Sequence, residues 1–182
     1  MRALIFIVKT FIDLYILAYV LRLILQWARA DFYNPFSQFI VRATNPLVIP
    51  GRRILPAIGR LDTATLVAIF LLELGAILIL RWLDAGMLGL PPKYVALWTL
   101  MRTAVAFINL FFFAILIRVL LSWVSPGTHS PVTAIIWSIT EPVMAPVRRL
   151  IPPMGGFDFS PILILVGLQA LRMLISLPAF LL

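Results

Sequence analysis

The chain of 182 residues contains no cysteine. That excludes disulfides, thiolate metal sites and thiol catalysis, and it leaves the redox compartment undetermined. Histidine occurs once, at His129. A transmembrane b-type haem takes two axial ligands, so a lone loop histidine is expected to be solvated and no cofactor is expected. Charge is scarce too, at 12% of residues, against about a quarter in soluble domains. There is no glycine-rich phosphate loop, no Ser/His/Asp set and no pair of carboxylates in a polar cleft. Enzymatic activity is therefore not expected.

What remains is oil and arginine. Hydrophobic residues make up 63% of the chain, and the mean hydropathy is +1.08. A water-soluble fold could not hide that much apolar surface, so lipid is the expected solvent. The net charge of +8 comes from 13 arginines and two lysines set against seven acids. Such a balance suits anionic lipid headgroups and the positive-inside rule. Nucleic acid is not an expected partner, because no basic stripe carries interleaved aromatics outside the apolar segments. Ala28-Arg29-Ala30 resembles a signal cleavage site. The apolar run before it, about 25 residues, exceeds a signal h-region, so it is read as a retained transmembrane helix.

Adding 96 to a residue number in the first half largely reproduces the chain. Arg22 maps to Arg118, Trp27 to Trp123, Thr44 to Thr140, Arg52 and Arg53 to Arg148 and Arg149, and Asp62 to Asp158. From Phe11 to Leu72, 18 of 62 positions are identical without a gap. This reads as an internal duplication, with units at 1–90 and 91–182 and a short linker containing Gly86, Gly89, Pro91 and Pro92. Each unit has an apolar segment (4–27 or 95–123), a proline-punctuated middle (34–59 or 130–156) and a second apolar segment (63–83 or 159–181). The expected fold is an all-α membrane protein of four transmembrane helices. Its two hairpins are parallel tandem repeats, because an even number of spans returns the chain to its starting side.

The middle segments hold too many prolines to be spans. Asn34-Pro35 and Ser130-Pro131 read as an N-cap followed by proline at the first helical position. Apolar residues follow at helical spacing, giving short amphipathic helices in the interface. Thr44-Asn45-Pro46 and Thr140-Glu141-Pro142 are expected to begin a second short helical piece in each elbow. The elbow side holds Arg29, Arg42, Arg52, Arg53, Arg60, Arg148 and Arg149, and the opposite side Arg2, Arg81, Lys93 and Arg102. This bias puts the double-arginine loops in the cytoplasm and both termini in the periplasm of a cell inner membrane.

The paired pattern resembles the YggT (YlmG) family of small integral membrane proteins over nearly the whole chain. Its carriers are Asn34-Pro35, Asn45-Pro46, Pro50, Arg52-Arg53, Pro56 and Asp62, then Ser130-Pro131, Glu141-Pro142, Pro146, Arg148-Arg149, Pro152 and Asp158. The resemblance implies work in envelope assembly without established catalysis. Bacterial members are linked to osmotic or potassium tolerance. Relatives in Gram-positive bacteria and cyanobacteria are associated with cell division or nucleoid organisation, and plastid relatives help attach haem to a cytochrome b subunit.

Several polar residues carry two readings each. Arg52, Arg53, Arg148 and Arg149 either dock a membrane-protein partner or anionic headgroups, or anchor the topology. Arg22 and Arg118, inside the interfacial tryptophans, are expected to pair with Asp62 and Asp158 and clamp each hairpin; partner swapping with the double arginines, or N-capping by the two aspartates, are the alternatives. Asp13 and Glu73 lie deep in spans, with Asn109 and Gln169 as counterparts in the second half. They either line a polar path for ion transport or make interhelical hydrogen bonds, Asp13 being neutralised by Lys9 at i,i+4. Four packed helices leave edges at which a homo-oligomer could form.

Overall fold

A computed structural model describes residues 2–59, 61–85, 92–124, 130–151 and 158–181. His129, Arg60, Pro152 and the linker at 86–91 lie outside them. Six α-helices follow one another: α1 (Arg2–Trp27), α2 (Pro35–Ile54), α3 (Thr63–Ala85), α4 (Pro92–Val124), α5 (Pro131–Leu150) and α6 (Ser160–Met173). A 3-10 turn at Ala179–Leu181 ends the described chain.

Three helices are long and apolar enough to cross a membrane: Ala3–Trp27, Thr63–Asp84 and Pro92–Val124, of 25, 22 and 33 residues. Their exposed faces are oily, with Phe6 69% and Phe11 70% exposed, as lipid-facing surfaces should be.

The expected fourth span at 159–181 is not formed as one helix. The α6 helix has 14 residues, about 21 Å at 1.5 Å per residue, short of the roughly 30 Å of hydrocarbon. Apolarity continues past Met173, and Pro178 would limit a longer helix to the residues before it. The chain turns at Leu174 instead, and Leu181 is buried against Ile77 and Leu80.

The elbows also differ from expectation. Each is one unbroken 20-residue helix with prolines inside it, Pro46 and Pro50 in α2 and Pro142 and Pro146 in α5. Asn34 accepts from the Phe36 amide, and Ser130 and Thr133 form a capping box, which satisfies the free donors of the first turn. Neither Thr44 nor Thr140 opens a second piece. Their hydroxyls bond back to Ile40 O at 2.7 Å and Ile136 O at 2.6 Å, which bends a helix without ending it.

The main core joins Ile16, Tyr19, Val20 and Leu23 of α1 to Ala64, Ala68 and Ala76 of α3, Ile40 and Val48 of α2, and Ile135 and Ile139 of α5. Alanines on α3 let the helix axes approach closely. A Cβ at Gly51 would lie 3.3 Å from the Ala64 Cβ, so α2 crosses α3 where only glycine fits comfortably. The two elbows share one end of the bundle: Asn34 Nδ2 donates to Pro131 O at 2.6 Å.

Candidate functional site

Two polar regions stand out, one at the elbow end of the bundle and one deep in the spans. At the elbow end, Arg22 reaches out of α1 and donates through Nη1 to Val41 O at 3.1 Å, Thr44 Oγ1 at 2.8 Å and Asn45 Oδ1 at 2.9 Å. Arg118 does likewise from α4, to Thr140 Oγ1 at 2.8 Å and Glu141 Oε2 at 2.7 Å, and its guanidinium lies 3.6 Å over the Trp137 ring. Both arginines thus grip the elbow helix just before an internal proline, where an amide hydrogen is missing from the ladder.

The expected Arg22–Asp62 and Arg118–Asp158 pairs are replaced by other pairings. Asp62 is fully buried and takes Arg52, with Nη2 at 2.6 Å and Nε at 3.2 Å from Oδ2. It also accepts from Thr65 in the first turn of α3, so capping and pairing are combined in one carboxylate. Asp158 takes Arg148 Nε at 3.1 Å, and Arg148 Nη1 also reaches Glu141 Oε1 at 3.1 Å. The reason is that the unbroken elbow helix covers Arg22 and Arg118 with its own acceptors, leaving the aspartates to the double arginines. Burial pushes the Asp62 carboxyl up, but hydrogen bonds from Arg52 and Thr65 and the Arg52 charge hold it below the usual range. Burial likewise raises Asp158, and Ser160 and Arg148 bring it below its ordinary value.

The double arginines therefore divide. Arg52 and Arg148 are committed to acids, whereas Arg53 and Arg149 are exposed and make no ion pair with any described residue. Arg29 and Arg42 are exposed as well.

Deep in the spans lies an ionic cluster around two buried groups, Arg102 and Glu73. Arg102 Nε sits 2.6 Å from Glu73 Oε2, and Arg102 Nη2 sits 2.7 Å from Asp13 Oδ1. Lys9 Nζ is 3.0 Å from Asp13 Oδ2, and Arg102 Nη1 donates to Leu181 O at 3.4 Å. Side-chain exposure is 6% for Arg102 and 2% for Glu73. Two cations and two anions cancel, and the fork of one guanidinium ties α1, α3 and α4 together. Sequence reasoning missed Arg102 by assigning it to the membrane flank. The available signal was that acids inside two spans need a cation at similar depth, and Arg102 lies one turn inside Trp98.

A cavity of about 310 Å³ opens beside the cluster. Asp13, Glu73 and Asn109 line it; Gln169 is not among its lining residues. Among the described residues, no group of three or more His, Asp or Glu could hold a metal ion.

These features can be set beside known proteins. The family model described as CCB3/YggT matches residues 1–83 and again residues 97–179. This chain belongs to that family. An uncharacterised protein of Pseudomonas aeruginosa is 45% identical over 173 residues, covering 95% of this chain and 88% of that one. A Vibrio alginolyticus protein from the region 3′ of proC is 44% identical, over 93% of this chain and 91% of its own length. The uncharacterised YggT of Escherichia coli K12 is 38% identical, over 95% of this chain and 89% of its own. No solved structure matches the chain.

Proposed function

We propose that this protein is a non-enzymatic component of the cell inner membrane that helps assemble or organise other envelope components. In this reading the chain is a fused pair of related hairpins, and the elbows face the cytoplasm with both termini periplasmic. The observation that carries it is the division of the double arginines. One of each pair is spent on the fold, and the other, Arg53 or Arg149, projects from an amphipathic helix beside exposed apolar residues such as Ile54 and Leu150. Two such surfaces at one end of the bundle suit a membrane-protein partner rimmed by anionic headgroups, since an unspent guanidinium offers a planar donor fork to phosphate or carboxylate.

The test is quantitative mass spectrometry of material co-purified from native membranes in mild detergent, with Arg53 and Arg149 both changed to Gln. A near-stoichiometric protein in the wild type should fall at least about fivefold in the variant, the effect of about 1 kcal/mol of lost contact. Equal recovery from both would sink the docking reading.

Ion handling is the second reading, favoured by the cavity and its Asp13, Glu73 and Asn109 walls. Weighing against it, both carboxylates are held by Arg102, which leaves little free negative charge to attract a cation. Loss of osmotic or potassium tolerance in Glu73→Gln at normal protein level would favour ion handling over docking.

A further inference from the structure

The cavity beside the ion cluster has a distinctive wall. It lies where the helical layer is incomplete, because α6 stops at Met173 and residues 174–178 run without helix. Irregular backbone at membrane depth is tolerated where protein buries it or where it lines a cavity. Here Ile175 and Leu177 of this segment line the cavity, together with Leu181 of the 3-10 turn. Leu14 and Leu17 of α1 and Phe113 of α4 add further apolar lining.

The polar groups on the remaining wall are not all spent. Glu73 and Asp13 are neutralised by Arg102 and Lys9. Arg172, the last basic residue of α6, lines the same cavity, and its side chain makes no hydrogen bond or ion pair to any described residue. The Asn109 amide also lines it and makes none. Lys9 uses one of its donors on Asp13, and an ammonium carries three. Across the described lining residues three cations face two anions, so the cavity carries one unmatched positive charge beside unused donors.

We infer that this cavity binds an anionic amphiphile. Its phosphate would be met by Arg172, Asn109 and Lys9, and the first part of its acyl chain would lie along Leu14, Leu17 and Phe113. The volume is at the small end of ligand pockets, enough for a headgroup and a short length of chain but not for a whole lipid. An apolar surface continuous with the hydrocarbon can take the rest. Arginine suits this task because it keeps its charge at any working pH and presents a fork to phosphate, and basic pockets between transmembrane helices bind anionic headgroups. This site is separate from the elbow arginines, so it does not depend on the docking reading.

Native mass spectrometry of the purified full chain tests it, with phosphatidylglycerol, phosphatidylcholine and inorganic phosphate titrated separately. The wild type should retain one phosphatidylglycerol per chain in preference to phosphatidylcholine. Arg172→Gln should weaken that retention about tenfold, the scale of one lost charge-assisted contact. Arg53→Gln with Arg149→Gln should leave it unchanged, which separates the site from headgroups gathered by the elbows. Arg172 is exposed, so its replacement should leave the fold intact, and an unaltered melting temperature checks this. Asn109→Leu, which keeps volume and removes the amide, should weaken retention in the same direction. Equal retention by wild type and Arg172→Gln would overturn the inference. So would equal uptake of phosphatidylcholine, or saturation by inorganic phosphate as tight as by lipid, which would mark a free-anion site.

Discussion

At the scale of single residues, the account turns on which charges are spent. Arg102 holds two carboxylates in the bundle, and removing one member of a buried pair costs about 3–5 kcal/mol because a charge is stranded. Arg102→Met is therefore expected to lower the melting temperature in detergent sharply. Combining it with Glu73→Leu should recover much of the loss, since no charge then remains at the deepest position. Failure of the double variant to recover any stability would mean that the cluster does not act as a unit. Asp62 supplies a pH test. Its carboxyl is held below the ordinary value, so its contribution is present at neutral pH. It is lost as pH falls below about 4 and through the lowered native value. Asp62→Asn should be less stable than wild type at pH 7, and the two should converge in strong acid. A gap in melting temperature that stays constant with pH would contradict the pairing. The acids inside the spans were legible in the sequence as demanding partners. Which cation answered them was not, because depth along α4 depends on how the helix is set against its neighbours.

At the scale of elements, the spans at 4–27, 63–83 and 95–123 were legible because long apolar runs leave few alternatives in lipid. The break in α6 was harder to see. Composition alone cannot distinguish a mostly apolar stretch of 23 residues in one helix from 14 in a helix followed by a folded-back tail. The elbows misled in the opposite sense: internal prolines suggested two pieces, but Arg22, Arg118 and the threonine hydroxyls hold the bent helix through them. The caps differ in a testable way. Ser130 caps α5 alone, whereas Asn34 both caps α2 and bonds to Pro131 O in the other elbow. Losing a cap costs about 1 kcal/mol, and a hydrogen bond adds about another. Asn34→Ala should thus reduce stability by roughly twice as much as Ser130→Ala in matched thermal melts. Equal losses would argue against the contact between elbows.

At the scale of the whole molecule, the elbow end and the interior of the bundle differ in character. One end gathers both elbows with their unpaired arginines, and the interior holds a neutral ion cluster beside a cavity. The central claim is that both elbows lie on the cytoplasmic side, where Arg53 and Arg149 can meet a partner. The absence of native cysteine gives a clean background for testing it. Arg53→Cys and Arg149→Cys, made singly, would be exposed to a membrane-impermeant maleimide in right-side-out and in inverted inner-membrane vesicles. The account predicts that both positions label in inverted vesicles and that neither labels in right-side-out vesicles. Labelling of either position from the periplasmic side would contradict it.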